Sequence, residues 1–100
     1  MTEPLTLTGL DHVVSAVTDL DRAASEWAAL GFTLSPRGVH SPHMGTINHT
    51  LMLGPDYLEL LAVAQATDGN RATRAFLERR GEGIERLAMR TLDAAADAAA

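Results

Sequence analysis

Two strand-like runs, each holding one imidazole or one carboxylate among apolar neighbours, constrain this chain more than any other feature. The first reads HVVSAV from His12, with Leu10 and Asp11 ahead of it; the second, residues 57–63, reads YLELLAV and holds Glu59. An ionisable group inside an apolar strand is costly unless something pairs with it. His12 and Glu59 are therefore expected to partner each other, or a group held between them. Strand alternation puts Leu10, His12, Val14 and Ala16 on one face of the first run, and Tyr57, Glu59, Leu61 and Val63 on one face of the second. The second run is apolar on both faces, which suits an interior strand.

The rest of the chain reads as units around these two. Residues 1–8 form a polar lead. After the first strand, placed at residues 10–17, Thr18 or Asp19 caps a helix, and Thr18 with Asp21 makes a loose capping box. Leu20, Ala23, Ala24, Trp27 and Leu30 fall on one helical stripe, and Gly31 sits where a left-handed C′ residue belongs. A short second strand is expected at residues 32–35, stopped by Pro36, followed by a Gly-, His- and Pro-rich loop over 37–45. Residues 46–53 alternate as a strand, with Ile47, His49, Leu51 and Leu53 on one face and Thr46, Asn48, Thr50 and Met52 on the other. Gly54-Pro55-Asp56 is a turn short enough for an antiparallel pair. Asp68-Gly69-Asn70 opens a second helix that Gly81 ends, with Arg79 and Arg80 suiting its C-terminal dipole. Residues 83–91 read as another strand. GIERLAMRTLDAAA also aligns weakly with GLDHVVSAVTDLDRAA, so that Arg86 falls on His12 and Leu92-Asp93 on Leu20-Asp21. DAAADAAA is strongly helical. The chain thus divides into the lead 1–8, a first module 9–81, and the beginning of a second, truncated module at 82–100.

Composition narrows the chemistry. One hundred residues suit one domain, and 46% apolar residues with four aromatics suit a core of Leu, Val and Ala. No cysteine is present, which excludes disulfides and thiolate ligands, and the absence of lysine excludes a Schiff base. A net charge of −5, with no basic cluster beyond Arg79-Arg80, argues against nucleic acid and anionic membranes. No run approaches the ~18 apolar residues of a membrane span, so a cytoplasmic protein is expected. There is no phosphate-binding glycine loop and no dinucleotide fingerprint.

The segments GLDHVVSAVTDLDRAASEWAALGF, GTINHTLMLGPDYLELLAV and GIERLAMRT together resemble the vicinal oxygen chelate superfamily, in its glyoxalase-like branch. The likeness covers residues 9–93. It implies an α+β fold of βαβββ modules, each a curled mixed sheet with its first strand beside its fourth, and here the start of a second module. It places His12 and Glu59 on the positions that ligate a cavity metal in metal-dependent members. It puts Arg86 where a second module would offer a histidine, and a guanidinium cannot ligate a cation.

Two functions follow from these residues. In the first, a divalent ion (zinc, nickel, manganese or iron) held by His12 and Glu59 serves a lyase, isomerase or dioxygenase acting on a small oxygenated substrate, with Glu59 catalytic. In the second, Arg86 replaces the ion and the cavity sequesters a small anionic or aromatic molecule. Tyr57, Asn48, His49 and Arg86 are the candidate substrate contacts, although Asn48 and His49 lie on opposite strand faces and only one can line the cavity. His40 and His43 form an H-x-x-H pair in a loop, read chiefly as polar surface that can edge the cavity mouth. A single module leaves one sheet face open, so a homodimer or a longer two-module chain is expected.

Overall fold

A computed structural model describes residues 6–99 of the chain. Five strands form one mixed sheet: β1 Leu7–Ala16, β2 Gly38–Val39, β3 Thr46–Met52, β4 Tyr57–Val63 and β5 Gly83–Thr91. Three helices accompany them: α1 Leu20–Ala29, α2 Arg71–Arg80, entered through a 3-10 turn at Asp68–Asn70, and α3 Ala94–Ala99. The order across the sheet is β2-β3-β4-β1-β5. β1 runs parallel to β4 and antiparallel to β5, while β2, β3 and β4 are mutually antiparallel neighbours. First and fourth strands lie side by side, and the whole is the α+β architecture expected.

Burial follows the alternation. Leu60 of β4 and Leu51 of β3 are closed off beneath α1, with Val17, Leu20 and Ala62 completing the cluster and Ala23, Trp27, Leu34, Ile47 and Leu58 packed around it. Burying Leu20, Leu51, Leu60 and Val17 contributes roughly 1.5–3 kcal/mol each before entropy is counted. The opposite face of the same strands carries His12, Tyr57 and Glu59. One helix thus covers one side of the sheet and leaves the other available for polar residues.

Three local expectations are corrected. β1 runs Leu7–Ala16 rather than over the expected 10–17; residues 1–5 lie outside the described residues. Residues 32–35 make only a single bridge, Leu34 to Leu51, and the second strand is instead Gly38–Val39 within the expected loop, paired to Asn48 and Ile47. Pro36 cannot donate to a ladder, so regular pairing resumes only beyond it. At α1 the cap is Asp19, whose side chain accepts the Arg22 amide at 3.1 Å. Thr18 instead donates its amide (2.6 Å) and hydroxyl (3.0 Å) to Glu82, and Asp21 pairs with Arg37, so the Thr18–Asp21 box does not form.

The loop entering β3 is held from α2. Asn70, 1% exposed, donates to the carbonyls of Met44 and Gln65, both at 2.7 Å, and accepts from the Thr67 amide and Arg74. Gly45 follows Met44 with φ +61°, and a Cβ there would lie 2.4 Å from the Gln65 carbonyl oxygen. Both the left-handed backbone and this close approach require glycine. The start of β3, and with it the site below, is positioned by this junction.

Candidate functional site

The register of the central strands assembles the site. Tyr57 lies opposite His12, and Glu59 opposite Val14, across the parallel β1–β4 pair; Thr50 lies opposite Glu59 on β3. The His12 and Tyr57 rings stack with centroids 4.5 Å apart and planes 6° from parallel. His12 Nδ1 donates to Asp11 Oδ2 at 2.7 Å. A carboxylate can only accept, so Nδ1 carries a proton, and Nε2 is the ring nitrogen turned toward Glu59. Nε2 lies 3.8 Å from Glu59 Oε1. The Glu59 side chain is 13% exposed, and Asn48 Nδ2 donates to its Oε2 at 2.9 Å.

His40, at the end of β2, joins the group from the other side. Its Nε2 is 3.8 Å from Glu59 Oε2, and its Nδ1 is hydrogen-bonded to the hydroxyl of buried Thr46 at 2.6 Å. Glu59 is therefore flanked by two imidazoles, one on each oxygen, with an amide donor between. Burial, then the carboxylates of Asp11 and Glu59, push the Tyr57 hydroxyl above its ordinary pKa, so the ring is a neutral phenol at physiological pH.

Not every sequence candidate gathers here. His49 pairs across to Leu60 on the α1 side of the sheet and donates Nδ1 to the Ser35 carbonyl at 2.8 Å. His43 is exposed in the loop after β2. Arg86 lies opposite Val14 on β5, two strands from Glu59. Strands are about 4.8 Å apart, and the carboxylate within reach of its guanidinium is Glu85, at 3.9 Å. His40, read chiefly as loop surface that can edge the cavity mouth, lies against Glu59, and Asp11 is a participant that sequence reasoning did not place. For Asp11 the available signal was adjacency to His12.

His12 Nε2 and Glu59 are donors suited to a divalent cation, and Asp11, bonded to the other ring nitrogen, orients the histidine. His12 and His40 approach different oxygens of Glu59, and among the described residues no three His, Cys, Asp or Glu side chains converge to hold a metal. The pair fits part of a coordination shell, and further donors would come from outside this set.

A family model for a glyoxalase-like domain matches residues 10–100. The chain belongs to that family. Within the vicinal oxygen chelate superfamily, its structural relatives include methylmalonyl-CoA epimerases. The enzyme from Mycobacterium tuberculosis is 32% identical, with a TM-score of 0.73 over 96% of this chain and 63% of that one. A variant of the Streptomyces coelicolor enzyme in complex with 2-nitronate-propionyl-CoA is 31% identical, with a TM-score of 0.75 over 93% of this chain and 69% of that one. A hypothetical protein from Bacillus halodurans is 27% identical over 80% of this chain and 56% of its own, with a TM-score of 0.67. This glyoxalase-like chain thus spans about two thirds of the length of the epimerases it matches. No curated protein matches it. No helix among the described residues is long and apolar enough to cross a membrane.

Proposed function

We propose that this glyoxalase-like chain is part of a divalent-metal-assisted isomerase acting on a small oxygenated carbonyl compound, with a CoA-linked acyl group as the favoured substrate class. The observation that carries the reading is the inward-facing His12 Nε2 at 3.8 Å from Glu59 Oε1, with Nδ1 already satisfied by Asp11. An imidazole nitrogen and a carboxylate oxygen that face each other in a half-buried site are a pair of ligand types that can share a divalent cation. The solved epimerases bound to methylmalonyl-CoA or 2-nitronate-propionyl-CoA support the substrate class.

When bound, such an ion supplies Lewis-acid stabilisation of charge developing on carbonyl oxygens. The chain's own residues prepare the place. Asp11 and Tyr57 fix the ring of His12 at its edge and its face. Asn48 holds Glu59 at Oε2, leaving Oε1 toward His12, and His40 stands beside the same carboxylate with Nε2 3.8 Å from Oε2. Arg86, half exposed on β5, is available to a substrate carboxylate.

The test is metal uptake. Protein purified without chelator, or dialysed against zinc, nickel, manganese or iron, is expected to retain ion, and H12A and E59A to retain far less. Failure of the wild type to take up any of the four overturns the reading. A metal-free sequestering module then becomes the better account, favoured by Arg86 and by the absence of a three-ligand set among the described residues.

We also propose that β5 is covered in the assembled protein by a second copy or a further module. It is an edge strand with Ile84 63%, Leu87 58% and Met89 44% exposed, a surface that monomers rarely leave open. Light scattering of the 100-residue chain is expected to give a dimer; a monomer at high concentration would count against self-association.

A further inference from the structure

We propose that Arg90 is the positioning residue of the His12 centre: its guanidinium, anchored on the β3–β4 turn, holds the Asp11 carboxylate that fixes which His12 nitrogen faces Glu59. Arg90 stands on β5, across β1 from the turn it reaches. Its Nη2 donates to the Pro55 carbonyl at 2.7 Å, and its Nη1 lies 3.1 Å from Asp56 Oδ1. Its Nε lies 3.5 Å from Asp11 Oδ1, the oxygen that His12 does not use.

The geometry joins both supports of the imidazole in one side chain. Asp11 Oδ2 holds the ring by Nδ1, and Tyr57, which follows the Pro55-Asp56 turn directly, holds it by its face. With one oxygen drawn toward Arg90, the Asp11 carboxylate presents the other to the ring. A single exposed ion pair would do little. Arg90 spans three partners with a planar fork, which a lysine cannot reproduce. A free neutral imidazole favours the proton on Nε2; here the proton must sit on Nδ1 for Nε2 to act as a donor toward a cation. Arg90 touches neither His12 nor Glu59 by any hydrogen bond or ion pair in the structure, so it acts through Asp11 and the turn.

The proposal rests on the reading above only for the use made of His12, and its readout needs neither metal nor substrate. Long-range proton–nitrogen correlation spectra of 15N-labelled protein, recorded over a pH series, report which ring nitrogens of each histidine carry a proton, and the neutral form gives its tautomer. Wild type is expected to show His12 with Nδ1–H and an unprotonated Nε2. R90Q is expected to move His12 toward Nε2–H, as D11A does, while the His49 signals stay in place. R90K is expected to restore the wild-type pattern only in part. A folded R90Q, judged by circular dichroism, with an unchanged His12 tautomer overturns the proposal. If R90Q does not fold, the milder D56N and R90K carry the test, and unchanged His12 tautomers in both overturn it. Where the wild type binds zinc, R90Q is expected to bind it about 10-fold more weakly, as when a residue that orients a metal ligand is lost. A tautomer that depends on Arg90 in a protein that binds no metal sustains this inference and refutes the metal-dependent function.

Discussion

Replacing Gly38 by alanine should disturb Glu59 without touching it. Gly38 lies opposite Asn48 in the β2–β3 pair, and a Cβ on it would fall 2.2 Å from Asn48 Oδ1. The obstructing atom is the end of a side chain, so Asn48 can rotate away, and its bond to Glu59 Oε2 is then lost. A hydrogen bond to a charged group contributes about 1.5–3 kcal/mol. Against this, Gly→Ala at a position without left-handed backbone stabilises by roughly 0.4–1 kcal/mol through the unfolded chain. The net expectation for G38A is a loss of about 1–2 kcal/mol. The decisive comparison is a double-mutant cycle by urea unfolding. In an N48A background the obstructed atom is gone, and G38A should become neutral or stabilising by the few tenths that the unfolded chain provides. Equal destabilisation by G38A in both backgrounds would refute the coupling between β2, Asn48 and Glu59.

Two further expectations concern the scaffold. N70A removes four side-chain hydrogen bonds, among them the one to the Met44 carbonyl ahead of β3, and equilibrium unfolding should show a loss on the order of 3 kcal/mol; a loss under about 0.5 kcal/mol, the range of a neutral surface change, would contradict that role. Glu82 is held below the usual carboxylate range by the Thr18 amide first and the Thr18 hydroxyl second. A depressed folded pKa means that its contribution is present above the unfolded value, about 4.3, and is lost as pH falls through the lower folded value. The stability difference between wild type and E82Q should therefore be constant above about pH 5.5 and shrink in acid below about 4; a difference that grows in acid would reverse the sign of the linkage.

Much of the fold was legible because its periodicities are local. β4 and β5 fall at residues 57–63 and 83–91, as alternation and flanking turn residues indicate. The parallel contact of β1 with β4 came from family resemblance, since no pattern within either strand specifies its partner. The two-residue β2 escaped notice because Gly38-Val39 is too short to show a period and is defined only by pairing to β3. His40 was obscured for the same reason: its approach to Glu59 is created by a hairpin, while its neighbours Ser41, Pro42 and His43 read as loop. Alternation did separate Asn48 from His49, and the structure sets Asn48 beside Glu59 and His49 beside Ser35. Arg90 was invisible in principle, because its partners are 34 to 79 positions away along the chain.

Crystals grown with manganese or cobalt offer the most direct measurement, through anomalous scattering at the metal edge. The expected peak lies between β1 and β4, about 2.0–2.2 Å from His12 Nε2 and from a Glu59 oxygen, the usual range for nitrogen and carboxylate ligands. A protein crystallised with excess metal that shows no peak at this pair, or one ligated by other residues, would contradict the assignment of His12 and Glu59 as the core of the site.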